Sequence, residues 1–158
     1  MEINFLPIVV ASLATLVVGF IWYNPKVFGT IWMKETGMTE EKAQQGNMMK
    51  IFGLTIIYSF LLAFMLGPAV NHEIGAAQAA GGNANDPALI EFLKAHHGKF
   101  LSFKHGALHG TMLGIFFALP VIAINSLFEQ KSWKYIAINA GYWIVSLGIM
   151  GAIICGWQ

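Results

Sequence analysis

Five histidines fall between residues 72 and 109, at His72, His96, His97, His105 and His109, and the rest of the chain has none. His105 and His109 stand four apart, so a helix places both imidazoles on one face, a spacing at which two rings can ligate one metal ion. Glu91 or His97 would complete such a site, since zinc, nickel and copper accept imidazole and carboxylate donors. No acid lies inside the pair, which excludes the metalloprotease pattern. His96 and His97 are adjacent, and a helix would turn them about 100° apart. Residue type alone favours ordinary interfacial histidines, hydrated or bonded to backbone, over a metal site, and a metal site over a proton or ion path. His109 is the most informative of the five. In a helix starting at Phe100 it lies about two to three turns deep, and an ionisable side chain inside a membrane is a functional hypothesis by default.

The elements that must carry these residues are apolar. Of 158 residues, 56% are hydrophobic and 11% charged, against about 45–50% and about 25% in soluble domains. So little charge cannot cover a water-exposed surface, and the lipid bilayer must be the first partner. The net charge of +1 carries no nucleic-acid signal. All nine basic residues are lysines, which argues against a bidentate anion clamp. The lone Cys155 excludes an internal disulfide and any multi-cysteine metal site. No nucleophile triad, phosphate loop or carboxylate pair stands out, so a soluble-type active site is not expected, and no cofactor beyond a divalent metal.

Four apolar runs are long enough to cross a bilayer, at about 3–23, 50–70, 100–124 and 134–157, within one helical domain. The first opens on Met1-Glu2 and ends in Trp22-Tyr23-Asn24-Pro25. It reads as a retained span rather than a cleaved signal, with aromatics at the interface and proline as a stop. Tyr142, Trp143, Trp133 and Trp157 read as belt residues too. In the first connection, Val27, Phe28, Ile31 and Trp32 recur at helical spacing and predict a surface helix ended by Gly37. Thr39 followed by Glu40 and Glu41 predicts an N-cap, with its helix running into the second span. Gly67-Pro68 marks that span's end. Residues 71–85, rich in Gly, Ala and Asn, read as flexible. Asp86-Pro87 then opens a second surface helix capped at Gly98, and Pro120 should kink or begin to end the third span.

Small residues recur inside two spans. Gly106, Gly110 and Gly114 line one face of the third, and Gly148, Ala152 and Gly156 one face of the fourth, each a groove that lets a second helix approach closely. The short turn between these spans makes them antiparallel neighbours, packing on each other or on a second copy. Asn139 in the fourth span is placed to bond across helices, with His109 as its candidate partner.

The stretch Gly19-Phe20-Ile21-Trp22-Tyr23-Asn24-Pro25-Lys26-Val27-Phe28-Gly29, continuing to Trp32-Met33, resembles the opening signature of domain-of-unknown-function family 1761. The segment Gly106-Ala107-Leu108-His109-Gly110 and the tryptophan-bearing fourth span are similar as well. The likeness covers most of the chain and is weakest over residues 71–100. It implies a small bacterial membrane protein of about four spans, and no activity or catalytic residues to carry over.

The expectation is therefore an all-α membrane protein of four transmembrane helices and two short interfacial ones, in a bacterial inner membrane. Its role is expected to be non-enzymatic, as a homo-oligomer or a subunit of a larger membrane complex. The rival roles are a permease or channel using His105 and His109, and a metal-dependent membrane enzyme. Lys26, Lys34, Lys42, Lys50, Lys131 and Lys134 flank one side of the spans, and Lys94, Lys99 and Lys104 the other. This bias puts the first and third connections in the cytoplasm, and both termini and residues 71–104 outside.

Overall fold

A computed structural model describes residues 4–157. Ile3, taken as the start of the first span, and the Met1-Glu2 opening lie outside them. The first span, α1 (Phe5–Trp22), starts at Asn4, whose side chain accepts from the Leu6 amide. Two short helices follow, α2 (Gly29–Thr36) and α3 (Glu40–Gln44), then the second span, α4 (Met48–Val70). Next come α5 (His72–Ala79) and α6 (Pro87–His96). The third span is built of α7 (Phe103–Leu113), a π-helical turn at Gly114–Ala118, and α8 (Leu119–Phe128), and the fourth is α9 (Trp133–Gly156). Among the described residues, four helices are long and apolar enough to cross a membrane. The chain is an all-α membrane protein with four spans and short connecting helices.

Local chemistry explains most boundaries. Gly37 ends α2 in the left-handed conformation, at φ 67°, which costs glycine nothing. The Thr39 and Asp86 side chains cap α3 and α6 as their positions predict. Two expectations change here. The helix from Thr39 does not run into the second span, because Asn47 starts a new one by accepting from the Lys50 amide. α4 itself closes at Val70, the bound expected for the second span. Pro120 does not begin the end of the third span, which runs on to Phe128. Just before Pro120, the Leu119 amide reaches back five residues to the Gly114 carbonyl, a π-turn of the kind that eases a helix past an irregularity.

The fourth span is the axis of the bundle. Over its most apolar window α9 is 56% buried, against 11% for the third span. Ile8 and Ala11 of α1, Ala63, Leu66 and Val70 of α4, and Leu147, Met150 and Ile154 of α9 form the core. A polar thread runs through it. Thr15 donates to the Ser12 carbonyl at 2.7 Å, leaving Ser59 of α4 to donate to the Thr15 hydroxyl at 2.9 Å. Tyr142, buried rather than in a belt, donates to the Thr15 carbonyl at 3.1 Å. Such pairs hold helices together where no water competes.

The glycine faces meet each other. A Cβ on Gly106 would overlap the Gly151 carbonyl, one on Gly110 the Leu147 carbonyl, and one on Gly114 would come 2.5 Å from the Ile144 Cα. On α9 the step is Gly148 then Gly151, so Gly151 rather than Ala152 stands opposite Gly106. Gly156 packs on Phe103, where its Cβ would lie 2.5 Å from the ring.

The aromatic stretch that closes α1 folds back on α9. Trp22 Nε1 donates to the Ile138 carbonyl at 3.0 Å. Asn139 accepts from Tyr23 at 3.2 Å and from Trp32 at 3.3 Å, and donates to the Tyr135 carbonyl at 2.8 Å. Asn139 therefore bonds to α1 and α2 instead of His109, at the opposite end of the bundle from the histidines. Trp22, Tyr23 and Trp32 are partly buried by this clasp, while Trp133 and Trp157 stay exposed as belt residues would. Asn139→Ala strands two donors. Unfolding in detergent should show a loss of about 1–3 kcal/mol, the penalty for unmatched buried polar groups.

Candidate metal centre

The end of the bundle that gathers the start of α1, the end of α4, the start of α7 and the end of α9 carries the histidines. Ser102 caps α7 by accepting from the His105 amide at 3.2 Å. The cap sets His105 in the first turn and His109 one turn further, on one face. The third ring comes from a segment expected to be flexible. Asn71, itself buried, accepts from the Glu73 amide at 2.9 Å and so starts α5 directly after α4, with His72 as its first residue.

His72, His105 and His109 each offer one ring nitrogen, and the three lie within 4.8 Å of one another. The closest pair is His105 Nε2 and His72 Nε2, at 3.0 Å. One of these nitrogens must carry the shared proton while the other accepts it. In a tetrahedral zinc site with bonds of about 2.0–2.1 Å, donor atoms stand about 3.3 Å apart. The closest pair stands near that spacing, and the wider ones, up to 4.8 Å, would have to draw together to reach it. Ring centroids are 4.4 Å apart for His105 and His109 and 5.2 Å for His72 and His109. Phe100 packs edge-on against His72 at 5.5 Å and tilted against His105 at 5.2 Å, which restrains both rings.

The structure groups the candidate side chains differently from the expected set. His105 and His109 come together as their spacing predicts, but the third member is His72. His97 is engaged elsewhere, because its Nδ1 lies 3.0 Å from Glu73 Oε2. The other Glu73 oxygen accepts from the Gly98 amide at 2.7 Å. Glu91 is exposed on α6 and outside the cluster, and His96 packs on Phe92 at 5.0 Å. Glu73 is buried, and these two bonds satisfy it. They also tie α5 to the end of α6, where Gly98 turns the chain at φ 74°.

A signal for α5 does exist in the sequence. Asn71-His72-Glu73 is an N-cap with an acid in the first turn, obscured by the alanine, glycine and asparagine that follow. Nothing local pairs His72 with a ring 33 residues away.

A family model described as protein of unknown function (DUF1761) matches residues 6–155. No curated protein and no solved structure matches the chain.

Proposed function

Because the chain belongs to the DUF1761 family of proteins of unknown function, its role has to be read from its own side chains, and we propose that it is a non-enzymatic integral membrane protein that captures a divalent transition-metal ion on His72, His105 and His109. The observation carrying this reading is the convergence of three imidazoles from two separate elements within 4.8 Å. A purely imidazole donor set suits zinc, copper or nickel and not magnesium or calcium. The nearby buried acid, Glu73, is spent on His97 and Gly98. Among the described residues the cluster holds no carboxylate to act as a base, which fits capture better than hydrolysis. Imidazole must shed its proton to ligate, so binding releases protons and weakens in acid. The lysine bias turns this end of the bundle away from the cytoplasm, in the bacterial inner membrane that the family resemblance implies.

Tag-free protein in mild detergent, stripped with chelator and dialysed against zinc, tests the reading. About one bound ion per chain, abolished in the His105→Ala/His109→Ala double variant, is the expected result. Failure of the wild type to bind zinc, copper or nickel ends the proposal. Assembly with a second copy has less support, because the glycine faces are consumed between α7 and α9. An oligomer would have to use large exposed side chains of the spans, such as Phe20, Met65, Phe116 and Phe117. Native mass measurement should accordingly find a monomer, and a stable dimer would restore the assembly reading.

A further inference from the structure

A cavity of about 570 Å³ lies at the same end of the bundle, on the other side of α5 from the histidines. Its walls are Pro7 and Ile8 of α1, Phe64 and Met65 of α4, and Ile74 and Ala77 of α5. Among the described residues no charged side chain lines it, and the polar side chains that do are those of Asn4, Asn71 and Gln78. Asn4 and Asn71 spend their side-chain oxygens on helix caps, the first on α1 and the second on α5. The volume falls in the range of about 300–1,000 Å³ typical of small-molecule sites.

We propose that this cavity holds one acyl chain of a membrane phospholipid, seated between α1 and α4 and walled by α5. Three points favour that occupant. An uncharged, largely apolar wall offers nothing to balance a charged ligand. A space of this size is far larger than the voids that packed interiors leave empty, and its apolar wall gives water few partners. The cavity is partly open and is built from the ends of three spans, α1, α4 and, through Ile154, α9, so bilayer lipid is the aliphatic molecule present beside it at high concentration. α5 is thus a shared wall, presenting His72 to the metal cluster from its first turn and Ile74 and Ala77 to the lipid chain.

Native mass spectrometry on protein exchanged into detergent containing dipalmitoyl phosphatidylcholine or palmitate tests this. Wild type should retain about one phospholipid per chain. Ala77→Trp fills the cavity and should lower retention at least tenfold. Ala79→Trp, exposed on the same helix and outside the wall, should retain as the wild type does. If Ala77→Trp fails to fold, Ala77→Leu gives a smaller filling, and retention should fall severalfold. Palmitate binding without phospholipid overturns the choice of ligand. Equal retention by all variants, or none by the wild type, overturns the site. These readouts need no metal, so they are independent of the histidine cluster.

Discussion

Gly110→Ala is expected to loosen the third span from the fourth, although it adds a single methyl group. The added carbon would overlap the Leu147 carbonyl and lie 2.7 Å from the Leu147 carbonyl carbon. Backbone cannot swing aside as a side chain can, so α7 and α9 must separate along the seam. Overpacking of this kind costs about 1–3 kcal/mol, occasionally more. Alanine's better helix propensity, worth at most about 1 kcal/mol, opposes this and does not cancel it. Gly106→Ala meets the Gly151 carbonyl and should behave alike. Gly53→Ala provides the control. It sits in α4, where an added methyl would meet nothing within 4 Å, so only propensity acts and stability should hold or rise slightly. Denaturant unfolding in bicelles reads all three. If Gly110→Ala matches the wild type, the two backbones do not touch at this point.

That contrast shows what kind of information the sequence held. Composition and run length exposed the four spans, because a bilayer imposes a minimum length and bars charge. Capping residues such as Thr39 and Asp86 exposed helix starts, because the hydrogen bond that starts the helix is made two or three residues away. Gly106 and Gly110 announced a close approach by their spacing. Which residue of α9 would face them was not legible, since the register of two helices depends on their crossing, and it is Gly151 that meets Gly106. The partners of Asn139 were hidden for the same reason. Tyr23 and Trp32 reach it only once the chain has turned back over α9, a contact spanning more than a hundred residues. The histidine site divides the same way. His105 and His109 are a local pair and were visible. His72 joins them through the α4–α5 junction, and its segment looked structureless because alanine and glycine give α5 no apolar stripe.

His72→Ala is the substitution that separates the folded site from the one expected on spacing alone. If zinc sits among the three rings, removing His72 takes away one of three protein donors. The loss should exceed about 100-fold in affinity, the upper end of what losing an outer-shell partner costs. Glu91→Ala should leave the affinity at the wild-type value. His97→Ala should do so too, and it has its own signature. It removes one of two groups bonded to the Glu73 carboxylate, but His97 itself is 75% exposed, so the stability lost should be no more than about 1 kcal/mol. Zinc competition against a chelating dye measures all three affinities on one scale. A His97→Ala or Glu91→Ala variant that loses zinc while His72→Ala keeps it would move the centre to α6 and refute the arrangement of α5 over α7. The opposite pattern would make the first turn of α5 the element on which the chemistry of this membrane protein depends.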